Sequence, residues 1–395
     1  MRWAWPTQRF RVRLKVLPNG RVDISRGNMA KKLSNLFFST VKKMARLQRQ
    51  AFKLASAPPV KRHKKKAVKK AAVHYIKAAP AVAHSPGAGS WQNLIHKTAP
   101  SSTELLGRLA YGLYKPASGS IEGRPLVVML HGCQQTAWEM AMGSRMNRLA
   151  DSKGFVVLYP QQTRRVQALR CWRWFQPDAA HGFAEADAIA DLARTIVARH
   201  KLDAGRVYVA GLSAGAGMAG LTALRHPRLF AAVAMHSGAV LGEAHSSAEG
   251  MRVMRHGALP DPASLIAPLV ENNDCFLGMP AIVLHGQRDH LVAPRNAHQL
   301  VQQFVHVNLA PSLGGGPVSV QALGKVGILA VGTQREYHRE DFLLGSKVMV
   351  RLCLIKDIGH AWSGGDEKLK FNAKEGPNAS LLIWQFFVRH CRAAG

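Results

Sequence analysis

Residues 207–220 read VYVAGLSAGAGMAG. An apolar run of strand length ends at Gly211, and a small-residue helical stretch containing Ala216, Gly217, Ala219 and Gly220 follows almost at once. Between the two stands GLSAG, Gly211 to Gly215, a G-x-S-x-G turn. Reversing from strand to helix over so few residues forces the central residue into a strained backbone conformation and leaves its side chain exposed. Only small neighbours let the chain pass. Ser213 is therefore a nucleophile candidate. The competing readings are an ordinary βα turn and a phosphate-cradling turn at a helix N-terminus. Against the latter, the segment lacks the lysine of a phosphate loop, and no ribose-binding acid follows its G-x-G at the right distance.

Working outward, apolar runs of strand length alternate with helical stretches from about residue 100, which predicts a mainly parallel sheet covered on both faces. Pro125–Leu130 runs into His131 and Gly132, Phe155–Tyr159 ends at Pro160, and Ala231–Met235 ends at His236. Ala281–Leu284 stops at His285 and Gly286, Val348–Ile355 precedes Asp357 to His360, and Leu381–Val388 reads as a closing amphipathic helix. Each strand thus ends in a polar or glycine-bearing turn at its C-terminal end, where open α/β sheets place their sites. With the G-x-S-x-G turn, this pattern predicts an α/β class chain with the α/β-hydrolase fold.

A serine hydroxyl becomes a useful nucleophile only when a positioned base takes its proton and a carboxylate holds that base in the right tautomer. In this fold the chain order is Ser, then Asp or Glu, then His, each after a later strand. Asp289 lies in HGQRD after the strand from Ala281, and His360 lies in GHAWSGG after the last strand. Asp274 precedes its strand and falls at the wrong end of the sheet. Asp357 is only three residues from His360 and ranks below Asp289. His236 and His338 are the runners-up among the histidines, while His131 and His285 read as residues that hold turns together.

Charge developing on a carbonyl oxygen needs preorganised donors, and the backbone amides of Cys133 and Ala214 are the candidates. The Cys133 thiol then has no chemical task; it is a small buried residue or half of a disulfide with Cys171. Five cysteines without a C-x-x-C pair exclude a disulfide scaffold and a zinc or thiol-redox site. Glu185, Asp187 and Asp191 have helical spacing that imitates a metal cluster, but acids opening a helix are stabilised by its dipole, so no metal is expected. Trp172, Trp174, Phe175 and Trp362 are candidates for an apolar acyl pocket, with packing in the core as the commoner alternative. The chemistry requires no cofactor.

Charge divides the chain. Residues 1–100 carry 23 Lys/Arg against the single acid Asp23, so +22 of the formal +31 sits there. The reading is a basic N-terminal arm and linker over 1–100, whose expected partners are polyanions or an anionic surface, joined to a catalytic domain over 101–395. Residues 1–28 lack clear periodicity ahead of Met29, which leaves an upstream start as one reading of them. Apolar residues recur from Leu33 to Leu54 with Lys42, Lys43, Arg46 and Arg49 between them, the spacing of a basic amphipathic helix. Lys61 to Lys70 and the Ala, Pro, Gly and Ser-rich stretch to about Ser90 read as linker. No apolar run approaches the roughly 18 residues of a membrane span, and no signal peptide is visible.

On LHGCQQ (130–135), GFVVLYP (154–160), CWRWFQP (171–177), GLSAG (211–215), LHGQRD (284–289) and GHAWSGG (359–365), residues from about 105 to 392 resemble the polyhydroxybutyrate depolymerase family of esterases. The resemblance implies a carboxylic-ester hydrolase acting on short-chain hydroxyalkanoate polyesters or oligomers, with feruloyl and acetylxylan esterases as relatives. It implies a triad of Ser213, Asp289 and His360. It also implies an extracellular enzyme, whereas the lysine-rich front end suggests granule association as the alternative. A different class of function is a granule-surface or polyanion-binding protein with a vestigial hydrolase domain.

Overall fold

The computed structural model describes residues 87–98, 107–117, 119–270, 278–309 and 326–392, all within the compact unit Ala78–Gly395. The amphipathic stretch 33–54, the lysine run, Asp274 and Cys275 lie outside the described residues.

Ten strands form one sheet: β1 (Ser90–Lys97), β2 (Arg108–Lys115), β3 (Leu126–Leu130), β4 (Val156–Gln161), β5 (Val207–Leu212), β6 (Ala232–His236), β7 (Ala281–Gly286), β8 (Val326–Leu329), β9 (Tyr337–Leu344) and β10 (Lys347–Ile355). Their order is β1-β2-β4-β3-β5-β6-β7-β10-β9-β8. The six from β4 to β10 pair in parallel, and antiparallel pairs extend the sheet at both ends. This is the α/β-hydrolase arrangement that the strand and helix alternation predicts.

The central strands are apolar at every position because both faces are covered. On β3, Leu126, Val128 and Leu130 enter one core and Val127 and Met129 the other. The first core is closed by helices Gly182–His200, Ala214–Arg225 and Arg295–Leu309, through residues such as Ile189, Met218 and Phe304. The second is closed by Ala137–Ser144, Met146–Lys153 and Ala379–Phe387, through Met140, Ala150 and Phe386. Thr136 starts Ala137–Ser144 with a reciprocal capping box to Glu139, and Glu139 Oε2 accepts the Thr136 amide at 2.8 Å. No helix among the described residues is long and apolar enough to cross a membrane.

Two features differ from the sequence reading. The stretch Ser90–Lys97, placed in the linker, is a sheet strand paired along its length with β2. Its side chains are mostly polar, as an edge strand allows, but Trp91 lies over Gly112, where a Cβ would come within 2.2 Å of the indole, and meets the rings of Trp138 and Tyr159. At the other edge, β9 escapes a search for apolar runs because Tyr337 is followed by the polar residues His338, Arg339, Glu340 and Asp341, and β8 is only four residues long, VGIL, with its side chains exposed or half-buried.

Candidate active site

The turn after β5 has the geometry its glycines require. A Cβ on Gly211 would lie 2.1 Å from Gly215 O, and one on Gly215 would lie 2.2 Å from Leu130 O. Ser213 has φ 58° and ψ −120°, a strained conformation for a residue with a side chain. Its amide donates to His236 O (2.9 Å) at the end of the neighbouring strand, while its carbonyl accepts from Ala216 and Gly217 as the helix begins. The serine is thus pinned by its backbone on both sides, and among the described residues its hydroxyl has no hydrogen-bond partner.

Asp289 and His360 follow the adjacent parallel strands β7 and β10. The two loops are stitched together: Gln287 N–H donates to Ile355 O (2.9 Å) and Arg288 N–H to Ile358 O (2.9 Å). Gly286 lets them close, since a Cβ there would meet Ile358 O at 2.3 Å. His360 Nδ1 lies 2.7 Å from Asp289 Oδ2, and Asp289 Oδ1 accepts the Leu291 and Val292 amides, each at 2.9 Å. Burial raises the Asp289 carboxyl, but the hydrogen bond and charge of His360, with help from His285 and the Val292 amide, hold it below the ordinary carboxylate range. An ionised Asp289 accepts a hydrogen bond from Nδ1–H, which fixes the proton there and leaves Nε2 of His360 with its lone pair. Among the described residues no hydrogen bond joins Ser213 Oγ to His360.

Asp357, the rival acid, is at the surface with Arg288 (2.7 Å). His338 sits within β9 opposite Leu354. His236 is buried beneath the site; it stacks on Trp362, and its Nε2 accepts the Ser363 amide at 3.4 Å. Burial, reinforced by His285 and His360, lowers its pKa to about 3, so it stays neutral and is no proton acceptor near neutral pH.

The loop after β3 is held from below. Gln162 N–H donates to His131 Nε2 (3.1 Å), which leaves the proton on Nδ1, where it is donated to Gly132 O (2.8 Å). Burial lowers the His131 pKa to about 4, keeping this bridge neutral. Three amides of the loop are used: Gly132 donates to Gln135 Oε1 (2.8 Å), Gln134 to Leu169 O (2.6 Å) and Gln135 to Gly132 O (3.2 Å). Among the described residues the Cys133 amide has no such partner. A Cβ on Gly132 would lie 3.4 Å from Ser213 Cβ, which brings this loop against Ser213. The Ala214 amide is the first of its helix, one of the donors an α-helix leaves without an internal acceptor. Cys133 is joined to Cys171 by a disulfide, so its sulfur anchors the loop. Cys353 is buried and Cys391 exposed, both as free thiols.

The candidate tryptophans are packed in the interior. Trp172, Trp174 and Trp362 are 1%, 5% and 0% exposed. Trp172 packs against His131, Trp174 fills the space beside Gly217, and Trp362 donates to Ser380 Oγ (3.3 Å). The acids at helical spacing go to separate partners: Glu185 accepts from Gln162 and the Arg173 amide, Asp187 pairs with Arg225 and His226, and Asp191 with His96.

Residues 109–315 match the family model for esterase PHB depolymerases, just over half of the chain. The chain belongs to the esterase PHB depolymerase family. It is 34% identical over 213 residues to poly(3-hydroxyalkanoate) depolymerase C of Paucimonas lemoignei, covering 51% of each chain. It is 28% identical over 207 residues to feruloyl esterase B of Neurospora crassa, covering 46% of this chain and 64% of that one. The matched stretches therefore span about half to two thirds of these relatives' length. Among solved structures, acetyl xylan esterase from Aspergillus awamori superposes with a TM-score of 0.57 at 19% identity, over 76% of this chain and 100% of that one, which shows the shared fold. Two features of this family member are not legible in motif spacing: Gln135, whose side chain bridges the β3 loop to Lys370 O (3.3 Å), and Phe371, whose ring meets that of His360.

Proposed function

We propose that the protein is a serine carboxylic-ester hydrolase cleaving short-chain polyhydroxyalkanoate or its oligomers through an acyl-enzyme. The observations that carry this reading are the 2.7 Å bond from His360 Nδ1 to a buried Asp289 and the strained φ of 58° at Ser213 in the G-x-S-x-G turn. His360 Nε2 takes the Ser213 proton as Oγ attacks the ester carbonyl. The Cys133 and Ala214 amides hold the resulting oxyanion, and each such donor is worth on the order of 10²-fold in rate. Collapse expels the alcohol, which receives the proton from His360. Water, deprotonated by the same imidazole, then releases the acid and restores Ser213. The hydroxyalkanoate substrate is supported by the 34% identity to a polyhydroxyalkanoate depolymerase; the relation to a feruloyl esterase supports methyl ferulate as the competing substrate.

An extracellular site of action fits the Cys133–Cys171 disulfide, since such bonds persist in oxidising compartments. The +22 charge of residues 1–100 is proposed to attach the enzyme to a polyanion or anionic surface, a salt-sensitive interaction. Turnover of p-nitrophenyl esters, hydroxybutyrate oligomers and methyl ferulate by wild type and Ser213→Ala tests the reading. Serine-dependent hydrolysis favouring hydroxybutyrate supports it, ferulate preference replaces the substrate, and equal rates in the two proteins refute the mechanism.

A further inference from the structure

The chain from 364 to 376 closes one side of the site. It leaves β11 (Trp362–Ser363) and returns as β12 (Asn372–Ala373), which pairs with it in parallel. It is tied down at four points: Trp362 N–H donates to Phe371 O (2.8 Å), Asp366 N–H to Gly143 O (2.9 Å), Gln135 Nε2 to Lys370 O (3.3 Å) and Gly376 N–H to Gln334 O (2.8 Å). Within this strap Phe371 has φ 62°. A bulky aromatic seldom adopts that region, and it persists only where the surroundings over-determine it. Glycine would take the same backbone without strain. The side chain that makes the conformation costly is the one that touches the base: the Phe371 and His360 rings meet edge-on, with centroids 6.2 Å apart and planes at 85°.

Asp289 holds His360 through the single atom Nδ1. One hydrogen bond leaves an imidazole free to pivot about it, so the direction of Nε2 needs a second restraint. We propose that Phe371, resting on the esterase reading above, is a positioning residue that fixes the plane of the His360 ring. Through Lys370 and Gln135 the same strap is joined to the loop presenting the Cys133 amide, so that base and oxyanion donors share one frame.

The test compares Phe371→Gly, which relaxes the backbone and removes the ring, with Phe371→Leu and Phe371→Tyr. The readouts are kcat and KM on p-nitrophenyl butyrate, the rate at which a fluorophosphonate labels Ser213, and the thermal midpoint. Phe371→Gly is expected to lose about 10- to 100-fold in both kcat and labelling rate, with KM changed by less than about threefold. Its midpoint should not fall, and Phe371→Tyr should recover most of the loss. Should Phe371→Gly not accumulate, Phe371→Leu carries the same comparison. Wild-type kcat and labelling in the Gly or Leu variant overturn the proposal, as does a loss confined to KM or a Tyr variant no better than Gly. If the wild type neither turns over ester nor is labelled at Ser213, the esterase reading itself has failed and the role of Phe371 falls with it.

Discussion

Replacing Asp289 by Asn changes one atom and should disable the enzyme for a reason that the hydrogen bonds specify. Asp289 Oδ1 accepts the Leu291 and Val292 amides, both at 2.9 Å, and only an oxygen can do that. The Asn carboxamide is therefore forced to keep its oxygen there and turn its NH₂ toward His360 Nδ1, which stands 2.7 Å from the wild-type Oδ2. Two donors cannot share that contact, so the imidazole proton moves to Nε2. The lone pair that should accept the Ser213 proton is then gone. The loss expected for such a tautomer reversal is on the order of 10⁴ in kcat, or about 5.5 kcal/mol of activation free energy. The assay is kcat on p-nitrophenyl butyrate in mildly alkaline buffer, with circular dichroism melting as a control for folding. A folded Asp289→Asn protein that loses less than tenfold would refute the assignment of the acid.

The remaining predictions concern stability. The folded protein keeps His131 near a pKa of about 4, and His236 and His390 near about 3, all through burial. The unfolded chain protonates these side chains below about 6.5, so it binds more protons, and stability should fall as pH drops from 6.5 toward 4 by up to about 1.4 kcal/mol per pH unit for each. Urea melts across that window should show the slope, and a flat profile would contradict it. Asp289, held below the ordinary carboxylate range, adds a loss of the same sign at lower pH. Substituting Cys133 and Cys171 by Ala opens a cross-link between residues 38 apart and should cost about 3–4 kcal/mol on the loop-entropy account, read as a lowered urea midpoint. Gly215→Ala puts a Cβ 2.2 Å from Leu130 O and 2.6 Å from His131 O, both main-chain atoms, and should destabilise by about 3 kcal/mol or more. A variant melting within a degree or two of wild type would show that the elbow is looser than this.

Much of the sheet is legible in the chain because its central strands are buried on both faces and appear as unbroken apolar runs, Leu126–Leu130 and Val207–Leu212 among them. The edges are not. β1, β8 and β9 each expose a side, and their pairing is decided by contacts such as Trp91 across Gly112 that join residues distant in the sequence. For the site, chain order and strand-end turns are enough to select Asp289 and His360 from 23 acids and 18 histidines, and the structure brings these two to hydrogen-bond distance. The aromatic candidates show the limit of that logic. A tryptophan in a motif near the nucleophile is as compatible with packing under the loop as with facing substrate, and burial decides for packing. The left-handed backbone of Phe371 and the Gln135 bridge carry no local signal, because both arise from one loop closing over another.

The central claim is that Ser213 becomes acylated. Its most direct test is to quench the wild-type protein during turnover of p-nitrophenyl butyrate and read the mass of the peptide containing Ser213. The account predicts one butyryl group on that serine, enriched in protein with slowed deacylation and missing from Ser213→Ala. Turnover with no acyl group on Ser213, or with the acyl group on another residue, would contradict it.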